Sequence, residues 1–227
     1  MKLLRPLSRH NRAFTLIELI TVVSIIVVLF SLVVGGFSYA DRSSKRSRTE
    51  VTMRSARGGL ELYREKFGAY PTYEAGRASQ MISIAKRDFP VAGGACLYQA
   101  LSGDGYDFIF MGGDKPNTPP NSDGRVDAGE APNVVLVNMP KEITAKSGDT
   151  YFLVDGFGQP FRYMRSRRYD ATGTLFDSPD NRNSYDTVNR NTYDLWSITD
   201  DNAEASLRMS SVEGRTTKAD QRWITNW

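Results

Sequence analysis

"RAFTLIELITVVSIIVVLF", Arg12 to Phe30, sets a carboxylate, Glu18, at the head of an apolar run. Between Leu19 and Phe37 there is no charge, and fourteen of those nineteen positions are Leu, Ile, Val or Phe. That is a membrane-spanning length. At roughly −0.4 kcal/mol per large apolar residue the run favours insertion by about 6 kcal/mol, against about 3 kcal/mol for a carboxylate in mid-membrane, so Glu18 is tolerated. Lys2, Arg5, Arg9 and Arg12 precede the run. They place the N-terminus in the cytoplasm and send the rest of the chain across the inner membrane.

The 227 residues have ordinary apolar and charged fractions, enough for one domain with extras. The net charge of +3 falls to −1 without the four N-terminal cations, so the basic excess belongs to the terminus and not to a polyanion-binding surface. Cys96 is the one cysteine, which excludes an intramolecular disulfide and reads as a small buried apolar side chain. His10 is the one histidine and lies ahead of the apolar run, so histidine-dependent catalysis and histidine-ligated zinc have no residues to use beyond it. No carboxylate pair is singled out for glycoside chemistry. An enzyme is not expected.

Two processing sites are compatible with the run. Gly35, Gly36, Ser38 and Ala40 offer small residues for a secretory cleavage after it, but the polar stretch beyond Ala40 continues a helical pattern. The other possibility is a cut before the run, which retains it. "RAFTLIEL" resembles the class III signal of type IV pilins and type II secretion pseudopilins. The resemblance implies cleavage by a prepilin peptidase between Ala13 and Phe14, N-methylation of Phe14, and Glu18 as the fifth mature residue. Ala13 stands where the family usually has Gly. The resemblance also gives Glu18 a role in assembly: a carboxylate in hydrocarbon wants a cation, and a neighbouring subunit's Phe14 amine supplies one, setting register. A carboxylate that snorkels to the interface is the plainer alternative.

Beyond the membrane run, Met53, Ala56, Leu60, Tyr63 and Phe67 share one helical face. The spacing predicts one helix from about Phe14 to about Lys66, roughly 80 Å long, apolar in its first half and amphipathic in its second. Gly35-Gly36 and Gly58-Gly59 interrupt it, each glycine costing about 1 kcal/mol relative to alanine. Bending or melting is expected near Gly35, and close packing at Gly58-Gly59. "GAYPT", Gly68 to Thr72, ends the helix, with glycine as cap and Pro71 as breaker. "ACLYQALSG" reads as a short second helix. A Gly/Asp/Pro/Asn-rich loop covers about Gly112 to Asn133. Strands are expected at Val134 to Asn138, Tyr151 to Val154, Phe161 to Met164 and Tyr193 to Ile198. The fold class is α+β, a pilin-like lollipop with a long helix on a small antiparallel sheet. Its parts are a leader (1–13), a membrane and filament-core helix (14–38) and a periplasmic globular domain (39–227).

Two loops gather oxygen ligands. In "PPNSDGRVDAGE", Asn121, Asp123, Asp127 and Glu130 fall at EF-hand-like positions, with Pro119 where an Asp belongs. A solvated insertion loop is the alternative. "DGFGQP" and "YDLWSITDDN" to "KADQRWITNW" resemble the end of the major (G-type) pseudopilin, with Gly156 in place of the first Pro of its turn. That resemblance implies a calcium ion held by Ser197, Asp200 and Asp220, with Asp201 a further candidate, although the late glycines and acidic pair of the family loop are missing. A plain turn at Asp200, Asp201 and Asn202 competes with it. Trp223 and Trp227 are expected to seal the loop. "RYMRSRR", Arg162 to Arg168, reads as a solvated sheet edge and not as a phosphate contact. No nucleic-acid partner is expected.

The family resemblance implies a structural subunit of a type II secretion pseudopilus at the inner membrane. It would polymerise with itself into a helical filament alongside minor pseudopilins and the inner-membrane secretion platform. A type IV pilus subunit is the first alternative, and a membrane-tethered periplasmic enzyme or binding module the second.

Overall fold

Helix α1 (Leu16–Phe67) starts where Thr15 can cap it and stops where glycine lets the chain turn. In the computed structural model the described residues are 15–77, 80–84, 86–110, 120–136, 139–166, 187–189, 192–199 and 223–227. Gly68 takes φ +80° and returns its N–H to the Arg64 carbonyl at 2.8 Å, a left-handed cap that ends the helix. The chain divides into two compact units, Met1–Ser43 and Ser44–Trp227, and α1 runs through both. The bend or melting expected at Gly35 does not occur: α1 stays helical through Gly35-Gly36 and Gly58-Gly59. Two glycines cost about 2 kcal/mol of propensity, whereas a break would strand about four carbonyls and four N–H groups with no partners in an apolar run.

In the first unit every described residue is exposed, including the apolar side chains from Leu16 to Phe37. α1 is long and apolar enough to cross a membrane. In the second unit α1 buries Thr49, Thr52, Met53, Ala56, Gly59, Leu60 and Tyr63, a stripe at spacings of three and four. Phe67, expected on that stripe, is 44% exposed, with its ring against Tyr63 at a 4.5 Å centroid distance. Gly59 brings the α1 backbone close to Leu101 and Leu136, the packing role expected of this glycine pair.

Helix α2 (Ala92–Ser102) contains the expected "ACLYQALS" and starts three residues earlier. A Cβ on Gly93 would overlap the Tyr163 backbone and one on Gly94 would press on the Leu153 carbonyl, so the two glycines let α2 lie on those strands. Gly103, at φ +80°, caps α2 through the Gln99 carbonyl. The strands form three small antiparallel sheets. β1 (Met81–Ile84) pairs with β2 (Arg87–Pro90), β3 (Thr144–Ser147) with β4 (Thr150–Leu153), and β5 (Arg162–Arg165) with β6 (Tyr193–Ser197), which also pairs with β7 (Ile224–Thr225). Val154 bridges Pro160, and the Phe161 N–H reaches the Leu153 carbonyl at 3.1 Å, so the chain folds back from β4 into β5. Leu60, Leu97, Leu101, Phe152, Phe161 and Leu195 sit at the centre of the core, each at 1% exposure or less.

The class is α+β, as the sequence pattern predicts, and β4, β5 and β6 fall where strands are expected. The strand expected at Val134–Asn138 does not form over the described residues 134–136. The N–H groups of Val135 and Leu136 instead both reach the Leu101 carbonyl, at 3.2 and 2.8 Å. A helix C-terminus leaves its last carbonyls without partners, and that demand captured the segment. The β1–β2 hairpin and β3 were not expected. The hairpin turns at Lys86, a non-glycine residue at φ +67°, with no glycine to announce it.

Candidate assembly site

Thr15 and Glu18 satisfy one another across the first turn of α1. The Thr15 N–H and hydroxyl donate to Glu18 Oε2 at 2.9 and 2.8 Å, and the Glu18 N–H donates to Thr15 Oγ1 at 3.3 Å. This is a reciprocal capping box, the T-x-x-E pattern, and it gives Glu18 a local task that the sequence reading missed. The signal was present in "TLIE". Both side-chain bonds go to Oε2. Among the described residues Oε1 has no partner.

The hydroxyls that follow are silenced within the helix. Thr21 and Ser24 donate to Ile17 and Ile20 at 2.8 Å, Ser31 to Val28 at 2.7 Å and Ser38 to Val34 at 3.1 Å. A side chain that returns its proton to its own helix carries no unpaired donor into hydrocarbon. Glu18 is therefore the one residue from Leu16 to Phe37 that can still offer a charged acceptor to a partner. It is exposed, between Leu16 and Ile17 on one side and Leu19 and Ile20 on the other. Ala13 and Phe14 lie outside the described residues.

In the 120–130 loop the Glu130 and Asp123 carboxylates accept backbone N–H groups. Glu130 is 3% exposed, and its two oxygens accept the N–H groups of Gly105 and Asp127 at 3.0 and 2.9 Å. Asp123 Oδ1 accepts the Arg125 N–H at 2.8 Å. Asp104, 1% exposed and not anticipated, accepts the N–H groups of Asp123 and Gly124 and the Tyr98 hydroxyl. The Glu130, Asp123 and Asp104 carboxylates are thus turned onto backbone amides. Among the described residues no three Asp, Glu, Cys or His side chains gather at a point.

At the other loop, Ser197 is fully buried. It donates to Asp155 Oδ2 at 2.5 Å and accepts the Thr199 N–H at 3.0 Å. Asp200, Asp201 and Asp220 lie outside the described residues. What the described residues show here is an anchor centred on Asp155, which sequence reasoning treated only as part of a turn. Asp155 Oδ1 accepts the N–H groups of Phe157 and Gln159 at 2.8 and 2.9 Å. Burial pushes its carboxyl above the ordinary range, opposed by those bonds and by Arg162. Burial likewise lowers the Arg162 guanidinium to about 10, with Asp155 drawing it back up.

Arg162 was expected on a solvated edge, but it is 6% exposed, donates to the Pro90 carbonyl and lies over the Phe89 ring. This end of β5 is covered on both faces, since the neighbouring Tyr163 is also buried, and that cover overrides the clustering of charge in the sequence. Arg167 and Arg168 lie outside the described residues.

Gly156 connects this turn to α1. Its N–H donates to Thr49 Oγ1 at 2.9 Å, and Thr49 donates on to the Lys45 carbonyl at 2.8 Å. Proline, which the resembling family turn carries here, has no N–H to give. At the C-terminus Asn226 acts as a strand by itself: Oδ1 accepts the Leu195 N–H at 2.8 Å and Nδ2 donates to the Tyr193 carbonyl at 3.0 Å. Trp227 meets Trp196 edge to face at 5.9 Å, and Trp223 is buried, so both act as packing anchors.

Comparison with protein families adds the observation that decides the N-terminus: a model described as the Prokaryotic N-terminal methylation motif matches residues 8–34. The chain carries a prepilin-type N-terminus. The match spans the capping box, Glu18 and most of the apolar run, and it supports a pilin-like structural subunit processed by a prepilin peptidase. Comparisons with curated proteins and with solved structures gave no match. The match covers only the N-terminal segment, residues 8–34, and the α+β architecture that follows is compatible with a pilin-like protein.

Proposed function

We propose that this pilin-like protein is a filament subunit, closest to the major pseudopilin of a type II secretion pseudopilus. The observation that carries the proposal is the methylation motif over residues 8–34, placed on a helix that continues without a break to Phe67. Cleavage between Ala13 and Phe14 frees the Phe14 amine, four residues before Glu18 in the sequence. Oε1 of Glu18, which has no partner among the described residues, then pairs with the Phe14 amine of the next subunit, while Oε2 keeps the helix start in place. The apolar faces of neighbouring α1 helices bury one another, and the heads form the outer surface. Extension of the filament moves folded proteins outward. The secretion assignment, as against a surface pilus, rests on the C-terminal residues: the Asp155 turn, "YDLWS", the terminal Asn226-Trp227 and a lone cysteine in place of a disulfide pair.

Glu18→Gln tests the proposal directly. Glutamine still serves at the third position of a capping box, so helix content and membrane insertion should persist. The charge is gone, so filament assembly should fall at least tenfold, as scored by cross-linking of the membrane fraction and by filament counts. Assembly at the unmodified level in Glu18→Gln would refute the ion pair. Loss of exoprotein secretion on deletion supports the pseudopilus, and loss of surface filaments with secretion intact overturns it in favour of a pilus.

A further inference from the structure

We propose that a groove on the second unit, lined by Arg125, Lys141 and Lys146 and reaching the free edge of β3, binds an extended acidic peptide segment of another protein by strand addition. The groove is a cavity of about 830 Å³ between the end of α2, the 123–126 turn and β3. Its floor is preformed. The Tyr98 and Tyr151 rings stack at 5.5 Å, and the Tyr151 hydroxyl donates to the Asp123 carbonyl at 3.0 Å. A Cβ on Gly124, at φ +90°, would overlap that hydroxyl, so the turn lies directly on the ring. Asp104 holds the same turn through the Asp123 and Gly124 N–H groups. Val126, Leu136, Met139 and Ala145 add apolar lining beside the rings.

Arg125, Lys141 and Lys146 are exposed, and none of them makes an ion pair among the described residues. Lys146 lies over the Tyr151 ring at 4.9 Å. Asp123 is the one acid among the described lining residues, and its Oδ1 already accepts the Arg125 N–H. One acid against three cations leaves the groove positive, so a guest that carries carboxylates is complementary to it.

The backbone supplies the second half of the match. β3 has no strand on its other side among the described residues. The Ile143 carbonyl accepts the Val154 N–H at 2.9 Å, so by alternation 143, 145 and 147 hold the bonded positions against β4. The Thr144 N–H goes to the Lys141 carbonyl. The Thr144 carbonyl and both backbone groups of Lys146 therefore face away from β4, and Thr144, Ala145 and Lys146 all line the groove. A lysine on an edge strand is ordinary protection against pairing. Arg125 and Lys141 come from outside the strand and line the same groove, which edge protection does not require. A phosphate polymer would use the cations but neither the strand edge nor the apolar lining, whereas an extended peptide uses all three. The groove lies wholly in the second unit, and its use does not depend on filament formation.

The test uses the full chain in nonionic detergent and a fluorescein-labelled seven-residue peptide alternating Glu and Val, which sets its carboxylates beside Lys146 and its valines beside Ala145. Anisotropy should report saturable binding that weakens at least tenfold in R125E/K141E/K146E and falls as salt rises. The same peptide N-methylated at its Glu residues keeps every charge but loses the N–H groups that would face β3, and should also bind at least tenfold more weakly. An unchanged urea midpoint of the triple variant, read by tryptophan fluorescence, shows that its fold is kept. No binding by the unmodified chain, equal binding by the triple variant, or equal binding of the N-methylated peptide would each overturn the proposal. So would tighter binding of a poly-deoxythymidine strand of equal charge, which would make the groove a phosphate site. Self-association of the unmodified chain that R125E/K141E/K146E abolishes would make the guest a second copy, and overturns it as well.

Discussion

Gly156→Ala isolates one contact between the 155–160 turn and α1. A Cβ built at Gly156 overlaps the Lys45 carbonyl oxygen and comes within 2.9 Å of its carbon and 3.0 Å of Thr49 Oγ1. The obstruction is helix backbone, which cannot swing aside as a side-chain tip can. The turn must back away, and the 2.9 Å bond from the Gly156 N–H to Thr49 lengthens or breaks. Overpacking of this kind costs about 1–3 kcal/mol, and a buried donor left without a partner about 1–3 more. We expect a loss of about 2–6 kcal/mol. With a urea slope of about 2 kcal/mol per molar, the midpoint drops by about 1–3 M.

Trp196, Trp223 and Trp227 all lie in the head, so intrinsic fluorescence of the full chain in detergent follows its unfolding. Two companions separate the causes. Thr49→Val keeps the shape and removes the acceptor together with its own bond to the Lys45 carbonyl, and should cost about 1–2 kcal/mol. Gly158→Ala has open space around it but sits at φ +77°, so its penalty of about 1–2 kcal/mol comes from the backbone alone. A Gly156→Ala protein within about 0.5 kcal/mol of the parent would refute the argument that this glycine is required by close approach.

Alkaline titration should unfold the head through its tyrosines. Burial pushes the Tyr63, Tyr98, Tyr163 and Tyr193 phenols up, that of Tyr193 to about 12. The unfolded chain loses these protons near pH 10 while the folded one holds them, so stability falls as pH rises from about 10 to about 12. Arg162, lowered to about 10, works in the opposite sense but is one group against four. Tyrosinate absorbance from these rings should therefore appear together with the fluorescence change, and their ionisation well ahead of unfolding would contradict the burial. Asn226→Ala removes both arms of the side-chain strand mimic and should cost about 2–3 kcal/mol, with red-shifted Trp227 emission in the folded baseline; an unshifted, equally stable protein would show that β7 alone holds the terminus.

The long helix was legible because its evidence is local and periodic. Fourteen apolar residues in nineteen, then Met53, Ala56, Leu60 and Tyr63 at helical spacing, need no tertiary partner to be read. The same holds for the Gly68 cap and for the prepilin-type signal, whose residues are contiguous. The capping box at Thr15 and Glu18 was equally local, but attention to the charge of Glu18 hid its hydrogen bonds.

What composition did not disclose was how the backbone's own demands would be met. The Val134–Asn138 segment has strand-like residues, yet over 134–136 it serves the open carbonyl of Leu101. The carboxylates of the 120–130 loop resemble cation ligands one at a time, but in the fold Glu130 answers the Gly105 and Asp127 amides and Asp104 those of Asp123 and Gly124. Arg162 looks like surface charge until the packing around β5 covers both faces of its first residues. The sequence by itself determined the helix, its apolar half and its N-terminal signal, because each depends on neighbours three or four residues away. Only the tertiary structure decided which polar groups face ligands and which face amides, because a buried donor takes whichever acceptor the packing of distant segments brings to it.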